Sequence, residues 1–202
     1  MKITEYHAIL NPTLFNTSIP LKKGWQEIEK AISITDWPHG SGTFSIYPEK
    51  GKKRGEGNGV KPIKIPCMSA LEKSGWLLED HPVKTSTLRP GDLDALKYTE
   101  EGYLAFEWET GNISSSHRAL NKIFLAMQET NILGSFLVVP SNVMKEYLTD
   151  RVGNIGELMP YFPLWKTITG VSGALRIIVV EHDIESYDVP RIPKGTDGRA
   201  KK

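Results

Sequence analysis

The 202-residue chain predicts an α/β architecture, a mixed central β-sheet flanked by helices. Three observations carry that reading. Gly134 to Pro140, containing Ser135-Phe136-Leu137-Val138-Val139, and Leu175-Arg176-Ile177-Ile178-Val179-Val180 are runs typical of strands buried on both faces. Segments 93–98 and 104–109 are strand-like and are joined by a short Gly-containing connection, Thr99-Glu100-Glu101-Gly102-Tyr103, suited to a hairpin. Between the strands lie stripes at helical spacing, which would cover the sheet.

In chain order, residues 22–34 read as an amphipathic helix with Trp25, Ile28 and Ile32 on one face. Residues 49–59 form a charged, Gly-rich loop. Its Gly55-Glu56-Gly57-Asn58-Gly59 lacks the Gly-Lys-Ser/Thr ending of a phosphate-binding loop, so it reads as a surface loop or a contact to nucleic-acid backbone. Residues 67–78 are expected to be helical, with Gly75 weakening the end. Ser114, Ser115 and Ser116 offer N-cap hydroxyls to a helix over 116–130, whose Leu120, Ile123, Phe124 and Met127 follow the i, i+3, i+4, i+7 pattern. Ser141 is placed to cap a helix running to Tyr147. Beyond Pro190 the prolines and glycines predict a flexible tail over about 190–202, and the whole of 1–202 is expected to form a single domain.

Composition narrows the class of function. A hydrophobic content of 39% in a chain of this length supports a substantial core. There is no run of about 18 apolar residues and no apolar leader after Met1, so neither a membrane partner nor export is expected. The lone Cys67 excludes an intramolecular disulfide and fits a reducing cytoplasm, with packing as its expected role. The net charge of +1 does not advertise a nucleic-acid binder. Basic residues nevertheless gather at Lys50-Gly51-Lys52-Lys53-Arg54 and from Arg191 to Lys202, and acids clustered in a metal site would cancel them in the sum.

The most informative segment is Ala105-Phe106-Glu107-Trp108-Glu109. On a strand, Phe106 and Trp108 share one face and Glu107 and Glu109 the other. Neighbouring carboxylates repel unless a cation lies between them. The preceding strand offers Asp92 and Asp94 on one face, and Asp94 would complete an oxygen-rich cage for Mg²⁺. Such a cage can activate water and neutralise phosphoryl oxygens, the equipment of a phosphodiesterase. The competing reading is a solvated strand face bearing carboxylates. Polar residues issuing from the end of an interior strand favour a site.

Glu107-Trp108-Glu109-Thr110-Gly111-Asn112-Ile113-Ser114-Ser115, continuing through His117-Arg118 to Asn121-Lys122, resembles the central motif of the BamHI family of restriction endonucleases. The resemblance continues at Tyr147-Leu148-Thr149-Asp150-Arg151-Val152, Glu157-Leu158, Pro160-Tyr161-Phe162, Ile192-Pro193-Lys194-Gly195 and Asp197-Gly198. It is weaker at Thr43-Phe44, Asn58-Gly59-Val60, Pro62-Ile63-Lys64 and Asp94, and does not cover residues 1–20. It implies a PD-(D/E)xK endonuclease fold, a homodimer acting on double-stranded DNA at the palindrome GGATCC, and cutting after the first G to leave four-base 5′ overhangs. A cognate DNA methyltransferase in the host is implied as well. Asp94, preferred over Asp92 by Leu93-Asp94-Ala95-Leu96-Lys97, carries over as a metal ligand with Glu107 and Glu109; Glu109 stands where most of the superfamily has Lys. Glu79 aligns as a further active-site carboxylate. Two Mg²⁺ per site are expected, with Mn²⁺ substituting and Ca²⁺ supporting binding without cleavage.

For base reading the resemblance points to Asn112, Ser114, Arg118, Asp150 and Arg151. The chemistry agrees, since Arg grips guanine, Asn pairs with adenine and Asp accepts from cytosine N4. Lys64 and Lys122 are candidate phosphate or base-edge contacts, and Gly195, Thr196 and Asp197 match a family segment that reaches the minor groove. The helix over 116–130 is the expected dimer element, and His117 is expected to be structural. A DNA-binding regulator without catalysis would leave the carboxylates unexplained. A glycosidase would need its two acids on opposite sides of the scissile bond, which adjacent same-face glutamates do not provide.

Overall fold

The computed structural model describes residues 1–53, 55–82, 91–149 and 151–194. Its elements are β1 (Lys2–Leu10), α1 (Leu14–Thr17), α2 (Ile19–Ser33), β2 (Ser45–Ile46), α3 (Ile65–Lys73), β3 (Leu77–Asp80), β4 (Leu93–Thr99) and β5 (Gly102–Trp108). There follow α4 (Ile113–Glu129), β6 (Ile132–Pro140), α5 (Asn142–Lys145), α6 (Ile155–Leu158), a 3₁₀ turn (Met159–Tyr161), α7 (Phe162–Trp165), β7 (Ala174–Glu181) and β8 (Ile184–Glu185). The main sheet runs β1-β7-β6-β5-β4-β3. Its centre, β5-β6-β7, is parallel, and its other pairings are antiparallel. β2 and β8 pair separately.

The two apolar runs become β6 and β7, covered on both faces as their composition requires. Alternate residues enter two cores. Leu104, Phe106, Trp108, Phe136, Val138 and Ile178 pack with Leu21, Ile28, Ile32 and Leu71 of α2 and α3. Ala105, Leu137, Val139, Ile177 and Val179 pack with Leu120, Ile123, Phe124 and Met127 of α4. Both faces of β5 are therefore interior, and Glu107, which follows Ala105 on the α4 side, is 2% exposed. The alternative of a solvated carboxylate face does not hold for it. No helix among the described residues is long and apolar enough to cross a membrane.

Several boundaries differ from the sequence expectation, each for a local reason. The helix expected over 67–78 spans Ile65–Lys73. Gly75 turns the chain at φ +86°, and Leu77 to Asp80 then pair with β4. α2 starts earlier than residue 22 because the Ser18 hydroxyl accepts the Leu21 N–H and Pro20 fits the first turn. Ser141 does cap its helix, accepting from Met144 N, but α5 ends at Lys145. α4 is capped by Asn112 rather than by the serines: Asn112 Oδ1 accepts from Ser115 N at 3.1 Å. Strand β1 is not legible in the sequence. Its apolar alternation is blurred by register shifts at Ile3/Glu5 and Ala8/Leu10, so pairing with β7 defines it.

Candidate active site and nucleic-acid interface

The antiparallel β4–β5 pairing sets Ala95 against Phe106, so both strands reach the same end of the sheet. There Asp94 Oδ2 accepts the Trp108 backbone N–H at 2.8 Å, the amide lying between Glu107 and Glu109 in sequence. A carboxylate on one strand is thus fastened to the backbone joining the other two. Glu107 is pushed up to about 7, first by burial, opposed by Lys122 and reinforced by Asp94 and Glu109. Glu109 is raised for the same leading reason, with Asp94 adding to it and Lys64, Lys122 and Arg118 opposing. The three carboxylates sense one another, which is what a shared cation site requires.

Two ammonium groups temper that repulsion. Lys64, just before α3, donates to Asp94 Oδ1 at 2.7 Å. Lys122 of α4 forms an ion pair with Glu107 Oε1 and donates to the Asp92 carbonyl at 2.6 Å. The sequence makes both lysines candidate DNA contacts; their role as counter-ions is missed there. Its only signal is indirect, since buried carboxylates need cations from somewhere. Among the described residues, no three His, Cys, Asp or Glu side chains converge closely enough to hold a metal as they stand. Glu79 is exposed, at φ +49°. The pairs Leu78–Ala95 and Asp80–Leu93 bracket it together with Asp94.

β5 leads through Thr110 and Gly111 into α4. Gly111 is tightly enclosed: a Cβ there would stand 3.2 Å from Glu109 Oε2 and from the Ser115 hydroxyl. Asn112 bridges antiparallel to Val152, and Gly153 N donates to the Gly111 carbonyl at 2.8 Å. Asn112 and Arg151 are therefore neighbours although 39 residues separate them in sequence. Arg151 adopts φ +65° and lines a polar cleft of about 240 Å³ with Gly51, Lys52, Lys145, Glu146, Thr149, Val152 and Glu157. Ser114 and Arg118 are exposed on the first turns of α4. Asp150, Gly195, Thr196 and Asp197 lie outside the described residues. His117 packs against Tyr161 and Trp165, ring centroids 4.7 and 5.7 Å away, as a structural residue would.

The family model of restriction endonuclease BamHI matches residues 1–199. The type II restriction enzyme OkrAI of Oceanobacter kriegii is 47% identical over 202 residues, 99% of each chain. The type II restriction enzyme BamHI of Bacillus amyloliquefaciens is 34% identical over 191 residues, covering 90% of this chain and 84% of that one. Among solved structures, restriction endonuclease BglII complexed with a DNA 16-mer aligns with TM-score 0.63 at 11% identity, over 95% of this chain and 88% of that one. Free BglII aligns with TM-score 0.51 at 8% identity, over 91% and 81%. The BglII likeness bears on the fold, a restriction-endonuclease-like mixed sheet between helices. With the family model spanning nearly the whole sequence and two relatives above 30% identity, the chain belongs to the BamHI family of type II restriction endonucleases.

Proposed function

We propose that this endonuclease acts as a homodimer on double-stranded DNA at GGATCC, cutting after the first G of each strand to leave four-base 5′ overhangs, with Mg²⁺ as cofactor. The observation that carries the catalytic part is the Trp108 N–H bond to Asp94, which joins three carboxylates at a strand end only a few residues from Asn112. The specificity rests on the similarity to BamHI and OkrAI. A cytoplasmic location and a partner methyltransferase in the host follow from the same reading.

The residues present suit a hard divalent cation. Their donors are anionic oxygens, Glu107 is buried, and positive groups already rest on Asp94 and Glu107. Asp94, Glu107 and Glu109 would hold the metal, with Glu79 from the adjoining strand as a fourth carboxylate. We expect two ions per site, Mn²⁺ as a substitute and Ca²⁺ as a support for binding alone. Bound there, a divalent cation would neutralise charge on the scissile phosphate and make water easier to deprotonate. Glu109, whose affinity for a proton is raised by burial, accepts the proton of the attacking water. Lys64 and Lys122, the cations beside Asp94 and Glu107, are the positive groups available to the scissile phosphate. Arg118 and the Asp150-Arg151 pair read G·C pairs, Asn112 and Ser114 read the adjacent A·T pair, and Gly195 to Asp197 enter the minor groove.

Plasmid digestion with Mg²⁺, followed by end mapping, tests the whole reading. Discrete cuts at GGATCC with four-base 5′ overhangs are expected; cuts elsewhere would sink the specificity, and intact plasmid would sink the catalysis. Glu109→Ala should abolish cleavage while retaining specific binding in Ca²⁺, and residual cutting by that variant would remove Glu109 from the mechanism. Arg151→Ala should cost about 1–3 kcal/mol of specific binding per half-site. Equal weakening on random DNA would mark Arg151 as a phosphate contact instead.

A further inference from the structure

Asn58 sits in a loop of lysines and glycines, yet it is 0% exposed. A buried amide is tolerated only when its donors and acceptors are met. Its Nδ2 donates to the carbonyls of Tyr47 and Tyr147, both at 2.8 Å, and its Oδ1 accepts from Ile192 N at 3.1 Å. Its backbone N–H donates to Tyr147 O at 2.7 Å, and its carbonyl accepts from Thr149 N at 2.8 Å. One residue thus ties together the stretches around 47–59, 147–149 and 192.

The surrounding contacts reinforce the junction. Gly51 N donates to the Glu146 carbonyl at 3.0 Å and Gly59 N to the Ile192 carbonyl at 2.8 Å. Lys194 Nζ donates to the Gly55 and Glu56 carbonyls, and Arg191 pairs with Glu49. The backbones approach so closely that a Cβ on Gly51 would collide with the Leu148 carbonyl and one on Gly59 with the Pro193 carbonyl. Thr149 immediately precedes Asp150-Arg151, and Lys194 immediately precedes Gly195-Thr196-Asp197. The junction therefore fixes the described residues that adjoin both candidate DNA-reading segments in sequence.

We propose that Asn58 is a positioning residue for sequence discrimination: it holds residues 147–149, which lead to Arg151, and residues 192–194 in one frame without touching a base. The proposal rests on the reading of Arg151 as a base contact. Only an amide of this length satisfies two carbonyls and one N–H at once. Asp keeps the size and the acceptor but loses both donors and sets a negative charge against two carbonyl oxygens.

The test is Asn58→Asp in the full-length protein, with Gly51→Ala as a second variant that pushes on the Leu148 carbonyl and leaves the Asn58 side chain unchanged. Amide exchange without DNA should accelerate at least tenfold at residues 147–149 and 192 in Asn58→Asp, against little change in β6 and β7. Binding in Ca²⁺ should lose at least tenfold of its preference for GGATCC over sites altered at the G·C pair read by Arg151, with affinity for random DNA held, in both variants. Faster exchange with unchanged discrimination would make Asn58 merely structural and overturn the proposal, as would parallel losses on cognate and random DNA. Exchange unchanged at both segments would overturn it too. A wild-type protein with no preference for GGATCC would instead overturn the proposed specificity, while the exchange measurement still decides whether Asn58 joins the segments.

Discussion

Single side chains decide how negative charge is stored at the sheet end. Lys122, a candidate DNA contact from the sequence, is in the structure a counter-ion. Its ammonium neutralises Glu107, a carboxylate whose burial already drives it towards the protonated form. Removing one partner of a buried pair costs about 3 kcal/mol or more, less if the survivor can take up a proton, as Glu107 can. Lys122→Met should therefore lower the metal-free melting temperature by several degrees, and millimolar Ca²⁺ should recover most of the loss. Equal melting temperatures with and without Ca²⁺ in that variant would argue against Glu107 as a metal ligand. Cys67 makes the opposite point. It is wholly buried and its thiol is pushed up by burial, with the Asp94 charge adding to the effect. Thiol reagents should label it only on unfolding; rapid labelling of the native protein would contradict its place in the core.

At the scale of elements, the connection from β5 to α4 joins the carboxylates to the candidate base-reading residues. Asn112 both caps α4 and stands beside the segment that carries Arg151. The two duties separate chemically. Asp caps a helix as well as Asn does, but lacks the amide donor that adenine N7 accepts from. Asn112→Asp should leave thermal stability nearly unchanged and weaken binding to GGATCC, whereas Asn112→Ala should lose about 1 kcal/mol of stability as well. Equal specific binding by Asn112→Asp would restrict Asn112 to the cap. The strand period is enough to find β4, β5 and the glutamate pair, because apolar alternation is local. It is not enough for β1, whose pattern is interrupted. Nor is it enough for β3, which follows α3 after only Ser74, Gly75 and Trp76 and is fixed by pairing with β4.

Over the whole molecule, α4 covers the sheet with one side and leaves another side open. Arg118, Asn121, Leu125 and Gln128 form an exposed stripe, with Leu125 40% exposed. The proposed palindromic site would call for a two-fold partner, and this stripe continues directly from the end of the helix that carries the candidate base-reading residues. Leu125→Glu should shift the protein towards monomer in sedimentation and slow double-strand cleavage more than metal binding. An unchanged sedimentation coefficient would move the interface elsewhere.

The order of residues already specifies strands β4 to β7, the amphipathic α4 and the carboxylate pair, since each depends on the spacing of neighbours along the backbone. Three-dimensional packing alone decides what meets what. It sets Asp94 on the Trp108 amide, brings Lys64 and Lys122 to the carboxylates, lays Val152 against Asn112 and ties Asn58 to two distant segments. Those contacts join residues far apart in the chain, and no local period encodes them.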